Sequence, residues 1–336
     1  MAFHLKFYDG AQKKEIEEFI YYCFELKKPI EVFTSGSTGK PKKITFQLSS
    51  ALASAKKTCD YFKINQNSNM VLCLDIDTIA AKMQIIRAHF AQCNLICLPI
   101  SSNPLKNIDV DYDFIAMVPM QLSTVIANGM ERKLKNKSVL IGGSPLSEKL
   151  KKEISSLQLN VFESFGMSET LSHIALKKIT NKESPFSCLP NIKISTDKEN
   201  ALIIHYDEIN SQPIITKDLV EIINESTFIW KGRKDFVVNS GGYKLIPEVI
   251  ESKINILVNR NLLLGKLDDV VLGEKLVLII EGPEMHVSKK LFSDLHPYEI
   301  PKQYCFLQEF PRTITKKIDR LSILSKMSNY AWRSIL

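Results

Sequence analysis

Between residues 71 and 166 the chain alternates continuous apolar runs with helical periodicity, and this rhythm limits the fold more than any other feature. Val71-Leu72-Cys73-Leu74, Ile96-Cys97-Leu98 and Phe114-Ile115-Ala116-Met117-Val118 are apolar at successive positions, not at every second one. Such strands bury both faces, which calls for a largely parallel sheet with helices on each side. The pattern predicts strands over 71–76, 95–100, 114–118, 138–141 and 160–163, with helices over 79–91, 119–128 (begun by Pro119) and 146–156. Ligands of these sheets gather where strands end. Gly142-Gly143-Ser144-Pro145 and Phe165-Gly166-Met167-Ser168-Glu169-Thr170 occupy such places. Past about residue 180 shorter, mixed strands follow, as at 201–205 and 220–223, more antiparallel in character.

Upstream, Ile16, Phe19, Ile20, Cys23 and Phe24 recur at helical spacing and predict a helix over 11–26. A second helix is expected over 48–62, with Ser49 or Ser50 as its N-cap. From Lys231-Gly232-Arg233-Lys234-Asp235, a charged linker, the chain reads as a separate small unit. Its expected parts are a strand (236–239), a Gly241-Gly242 turn, a helix begun by Pro247 (247–255), strands over 261–267 and 275–281, a helix over 288–295, and a last strand over 303–308. The fold class is therefore α/β in a large N-terminal domain, 1–232, and α+β in a small C-terminal one, 233–336.

Between the two upstream helices lies Thr34-Ser35-Gly36-Ser37-Thr38-Gly39-Lys40-Pro41-Lys42. Glycines let a backbone approach an anion, successive N–H groups form an anion nest, and hydroxyl and ammonium groups add donors, so the loop suits a polyphosphate. A flexible polar hairpin between two strands fits the same residues. Spacing excludes two known motifs. G-x-x-x-x-G-K-S/T would need Gly where Thr34 stands and a hydroxyl residue where Pro41 stands. G-x-S-x-G would need Gly in place of Ser35.

The chain has 336 residues, 45% of them hydrophobic, enough for two cored domains. No apolar run reaches the roughly 18–20 residues of a membrane span, and the first residues lack the pattern of a signal peptide. The net charge of +7 is spread along the chain, with short runs at 133–137 and 149–152 that read as solvated helix faces. Without clustering or a basic-aromatic module it does not point to nucleic acid. Seven cysteines form no CxxC pair, and several lie in apolar strands, which predicts reduced, buried thiols and a cytoplasmic protein.

Residues 34–42 match, position for position, the phosphate loop Ser/Thr-Ser-Gly-Ser/Thr-Thr-Gly-x-Pro-Lys of the adenylate-forming (AMP-binding) enzymes, a superfamily of acyl-CoA synthetases, luciferases and adenylation domains. Five later motifs follow in family order. Residues 165–170 resemble the aromatic-Gly-x-Thr-Glu motif, with Phe165 for Tyr and Ser168 for Thr. Thr216-Lys217-Asp218 resembles Thr-Gly-Asp, with Lys217 in the glycine place, and Gly232-Arg233-Lys234-Asp235 resembles Gly-Arg-x-Asp. Residues 240–251, with Gly241, Gly242 and Lys244, resemble the glycine turn of the mobile domain. Residues 311–320 resemble Pro-Arg-Thr-x-x-Gly-Lys-Ile-x-Arg, with Lys316 where glycine is usual. Taken singly, residues 165–170 could be a capped turn and residues 311–320 a basic tail.

The resemblance implies a fold and a set of roles. The fold is that of the adenylate-forming enzymes, shortened before the phosphate loop, where only 33 residues stand. A homodimer or the 11–26 helix would cover the side this leaves. Thr34, Ser35, Gly36, Ser37, Thr38, Gly39, Lys40 and Lys42 would grip the ATP phosphates. Gly142, Gly143, Ser144, Phe165, Gly166, Asp218 and Arg233 would hold adenine and ribose. Ser168 would contact the α-phosphate, Glu169 would hold Mg²⁺, and Lys317 would be the catalytic lysine. Asp235 would be the hinge, and Gly241, Gly242 and Lys244 would line the CoA passage.

Three further segments, 77–83, 116–121 and 169–176, resemble the o-succinylbenzoate–CoA ligases of menaquinone biosynthesis. The implied substrates are ATP, CoA and an aromatic dicarboxylic acid whose second carboxylate needs a cation. Arg87, at the position of that family's substrate-binding arginine, and Lys82 are the candidates, and Ser172 and His173 could line the acyl pocket. Each cation could equally be a solvated helix residue. Another aryl- or acyl-CoA ligase, a carrier-protein-dependent adenylation enzyme and a non-catalytic nucleotide-binding relative remain as alternatives.

Overall fold

The computed structural model describes residues 3–34, 42–106, 108–182, 184–255, 258, 260–313 and 318–335. The first part runs β1 (Leu5–Phe7), α1 (Lys13–Ile20), β2 (Ile30–Thr34), β3 (Lys42–Phe46), α2 (Leu48–Phe62), β4 (Asn69–Leu72), α3 (Ile79–Ala91), β5 (Asn94–Cys97), β6 (Phe114–Met117), α4 (Pro119–Ala127), β7 (Ser138–Ile141), α5 (Glu148–Ser156) and β8 (Val161–Gly166). Strands β1, β5, β4, β6, β7 and β8 lie side by side in that order, all parallel. The sheet then turns antiparallel through β9 (His173–Lys178), β10 (Phe186–Cys188), β14 (Thr227–Arg233), β13 (Asn210–Asn224), β12 (Ala201–Tyr206) and β11 (Lys193–Thr196).

The continuous apolar strands are explained by the two cores. Met70, Leu72, Leu95, Cys97, Phe114, Ala116 and Leu140 face α2 and α3, where Cys59, Ala81, Ile85 and Ala88 meet them. Their neighbours Val71, Ile96, Ile115, Met117, Val139 and Ile141 face α4 and α5 through Leu122, Val125, Leu150 and Ile154. A strand covered on both sides cannot alternate apolar with polar. The β2–β3 hairpin, whose ends flank residues 35–41, packs through Ile30, Val32 and Phe46 on Ala51, Ala55, Met83 and Ile86.

Past Arg233 a short turn (Lys234–Phe236) leads into a second sheet. It contains β15 (Val238–Ser240), β16 (Tyr243–Leu245), β17 (Leu262–Asp269), β18 (Gly273–Glu281), β19 (Gln303–Leu307) and β20 (Arg333–Ser334), with α6 (Pro247–Asn255) and α7 (Arg320–Leu324) against it.

Several boundaries differ from the sequence expectations. The strand expected over 71–76 ends at Leu72, because Ile76 is buried in a turn and not in the ladder. The one expected over 160–163 runs on to Gly166. Helix α2 begins at Leu48 with Gln47 as its N-cap and no side-chain cap bond, so Ser49 and Ser50 lie inside the first turn. The helix expected over 288–295 is one turn, Lys289–Phe292. The strand over 303–308 is not the last element, since α7 and β20 follow it.

Candidate active site

Helix α3 is buried almost all round, and that brings a cation inside. Its N-terminus is capped by the Thr78 hydroxyl, which accepts the Ala81 N–H at 3.2 Å. Met83 and Ile86 face the hairpin, and Ala81, Ile85 and Ala88 face the sheet. Gln84 and Arg87, one turn apart, are also enclosed, and Arg87 is only 2% exposed. Arg87 donates to the Ser172 hydroxyl at 2.7 Å and to Gln84 Oε1 at 3.3 Å. Gln84 is fixed in turn by donating to the Val71 carbonyl. Among the described residues no carboxylate pairs with Arg87, and its Nε has no hydrogen-bond partner. Burial pulls its pKa down to about 10.

Beside it His173 Nδ1 lies 3.3 Å from Ser172 Oγ, and Nε2 lies 3.3 Å from Thr58 Oγ1. Burial, then the charge of Arg87, pushes this imidazole well below its ordinary range and keeps it neutral. Arg87, Ser172 and His173 thus come together. Lys82 does not join them: its ammonium turns to the Glu31 carbonyl, 3.0 Å away, on β2.

The turn between β8 and β9 carries Ser168 and Glu169 and is held tightly. Gly166 pairs with His173 across a bulge, and a Cβ on Gly166 would lie 2.4 Å from the Ser172 carbonyl oxygen. Only glycine fits there. Leu171, with φ +63, is fully buried against Met83 and Ile86 of α3. The Thr170 hydroxyl donates to the Ser172 carbonyl at 2.7 Å and accepts the Met167 N–H at 3.0 Å. Glu169 is exposed on this turn and makes no ion pair among the described residues, so its carboxylate suits a hard cation. Phe165 lays its ring edge-on to Phe228, 5.1 Å between centroids. Gly142, at the end of β7, backs onto Ser164, whose hydroxyl donates to the Ile141 carbonyl; Gly143 has φ +94, and Ser144 is exposed.

Asp218 and Arg233, 15 residues apart, are direct cross-strand partners on β13 and β14. Asp218 is buried and accepts the Trp230 indole N–H at 2.9 Å, and Arg233 Nη1 lies 3.7 Å from its other oxygen. Burial raises its pKa against the pull of Trp230 and Arg233. Arg233 also donates to Asp235 at 3.0 Å, and Lys217 meets the other Asp235 oxygen at 2.9 Å. Burial works against ionised Asp235, but the Lys217 and Arg233 bonds outweigh it and hold the pKa below the usual range. Lys217 sits in extended strand, where no glycine is needed, so its place in the motif strains nothing.

Gly241 and Gly242 form the β15–β16 turn with φ +56 and +85. Lys244 lines a cavity of about 500 Å³ with Glu199, Asn200, Leu219, Lys231 and Ile246. Among the described residues it makes no hydrogen bond or ion pair with Arg87 or Asp218. Ser35, Gly36, Ser37, Thr38, Gly39, Lys40, Lys316 and Lys317 lie outside the described residues, whereas Thr34 and Lys42 close the hairpin as strand partners.

Residues 31–199 match the AMP-binding enzyme family. The chain belongs to that family. A 2-succinylbenzoate–CoA ligase of Staphylococcus epidermidis is 23% identical over 98% of this chain and 76% of its own length. Among solved structures, an acyl-CoA synthetase (AMP-forming)/AMP-acid ligase II-like protein from Dyadobacter fermentans is 31% identical, with a TM-score of 0.63 and coverage of 95% of this chain and 96% of its own. The o-succinylbenzoate CoA synthetase of Bacillus subtilis shares the fold at 18% identity. Its complex with the acyl-adenylate OSB-AMP has a TM-score of 0.75, covering 91% of this chain and 70% of its own. Its complex with ATP and magnesium ion has a TM-score of 0.76, covering 87% and 69%. The α/β architecture is thus that of the adenylate-forming enzymes, and among the described residues no helix is long and apolar enough to cross a membrane.

The sequence singles out neither Thr58, Gln84 and Trp230 nor, within 240–251, Glu248. Helical spacing from Arg87 could have found Gln84. Nothing local marks Thr58, which meets His173 across 115 positions.

Proposed function

We propose that the chain is an AMP-forming o-succinylbenzoate–CoA ligase of menaquinone biosynthesis. The observation that carries the reading is Arg87: a guanidinium buried on α3, bonded to Ser172 of the Glu169 turn, with no carboxylate among the described residues to neutralise it. An acid with a second carboxylate supplies that charge. A buried cation left unpaired is costly, so the pairing also discriminates against acids that lack the group.

In the first half-reaction a carboxylate oxygen of the acid attacks the α-phosphorus of ATP, the bond to the β-phosphate breaks, and pyrophosphate leaves. Residues 34–42 hold the phosphates, Ser168 meets the α-phosphate, and Asp218 with Arg233 takes the ribose hydroxyls. Lys317 neutralises the charge that develops. Glu169 would hold magnesium, which would supply charge compensation on the phosphates. In the second half-reaction the C-terminal unit (233–336) turns about Asp235, which brings Gly241, Gly242 and Lys244 toward the acyl-adenylate. The CoA thiolate attacks the acyl carbon, its bond to AMP breaks, and AMP departs.

The test is pyrophosphate release from ATP with o-succinylbenzoate, then thioester formation on adding CoA. No release with that acid refutes the substrate. Release without a CoA thioester points to a carrier-protein partner.

A further inference from the structure

Glu248, the second residue of α6, reaches across to the strand that carries Arg233. Its Oε1 accepts the Arg233 backbone N–H at 3.2 Å, whereas Oε2 is enclosed and has no donor among the described residues. The approach depends on Gly232. A Cβ there would lie 2.6 Å from Glu248 Oε2 and 2.6 Å from Ile246 Cγ2, and φ is +152. The surrounding charges do not satisfy Glu248. Arg320 of α7 stacks on Phe236, 4.5 Å away, and donates its hydrogen bonds to Glu251, at 2.7 and 3.0 Å, and to the Leu264 carbonyl. The Arg233 guanidinium is engaged by Asp235 and Asp218. One arginine therefore stands behind two carboxylates, and Glu251 takes its bonds.

We propose that Glu248 is a positioning residue for nucleotide binding: it ties α6 to the backbone of Arg233 and so holds Arg233 beside Asp218 while α6 is packed on β14. This rests on the reading that Asp218 and Arg233 take the ribose. Burial, reinforced by Glu251, pushes the Glu248 carboxyl up to about 7, against Arg320 and the Arg233 N–H, which pull it down. With α6 lifted and the carboxylate in water, the value returns to the ordinary one near 4.3. The packed arrangement is the one with the raised value. Its advantage is full below the ordinary value and is lost as pH rises through about 7. Between pH 6 and pH 8 it weakens roughly tenfold.

The experiment is ATP binding by the full chain at pH 6 and pH 8, with Glu248→Gln and Glu248→Leu beside the wild type. Glutamine keeps the acceptor and cannot titrate, and leucine removes the acceptor. The expected result is wild-type binding that weakens between the two pH values more than that of the Gln variant, by up to roughly tenfold. The Leu variant, shown folded by its thermal transition, binds weakly at both. Equal pH dependence in wild type and Gln variant, or a Leu variant that binds as the Gln variant does, overturns the proposal alone. No ATP binding by the wild type at either pH overturns the ribose reading, and the proposal with it.

Discussion

Replacing Arg87 with methionine separates what that residue does for the fold from what it does for the substrate. Arg87 is 2% exposed, and burial lowers its pKa from the ordinary arginine value to about 10. Keeping it charged inside the sheet therefore costs on the order of 3 kcal/mol, at neutral pH as at any pH below about 10. Its bonds to Ser172 and Gln84 offset about 1.5–3 kcal/mol each. Together the bonds match that cost or exceed it by up to about 3 kcal/mol, and methionine refills most of the volume. Stability should fall by no more than about 3 kcal/mol relative to wild type. Acid recognition should not survive, because a buried charge pair lost on one side costs about 2–5 kcal/mol, or roughly thirty- to several-thousandfold. Urea unfolding reads the first quantity, and kcat/KM for o-succinylbenzoate with saturating ATP reads the second. A variant that keeps kcat/KM within about threefold of wild type refutes the assignment, because the lost pairing alone is worth far more than that. One that loses well over 4 kcal/mol shows that the arginine serves the core.

Three further outcomes are expected. Gly166→Ala drives a Cβ to 2.4 Å from the Ser172 carbonyl and 2.5 Å from His173 Cα, both backbone. It should lower stability by about 1–3 kcal/mol or more and raise KM for the acid, read by denaturation and by kinetics. Lys317→Ala should abolish pyrophosphate release while leaving thioester formation from supplied acyl-adenylate, followed by chromatography of the CoA product. Lys217→Met removes a half-exposed partner of Asp235, and urea unfolding should shift by less than about 1 kcal/mol.

The parallel half of the sheet was legible because strands covered on both faces must be apolar at every position, and 138–141 and 79–91 came out to the residue. Thr78, Pro119 and Pro247 mark helix starts by local chemistry, which sequence displays. Strand ends were less legible. Ile76 is as buried as a strand residue, and hydrophobicity alone does not separate the two. The two-residue β20 has no pattern to read, since its pairing to β19 is set by a distant segment. In the site, the order of the motifs was visible, but not that Asp218 and Arg233 face each other across two strands. Helical position alone left Arg87 either a cation for the second carboxylate or one that water could solvate. Its burial comes from the hairpin and the Leu171 turn closing over α3, contacts that no local window contains.

The role of Arg87 is tested most directly by comparing kcat/KM for o-succinylbenzoate with that for 4-oxo-4-phenylbutanoate, which keeps the reacting chain and lacks the ring carboxylate. A buried Arg87 that recognises the second carboxylate predicts a preference of roughly a hundredfold or more for the dicarboxylate, collapsing in Arg87→Met. Equal values for the two acids would contradict it.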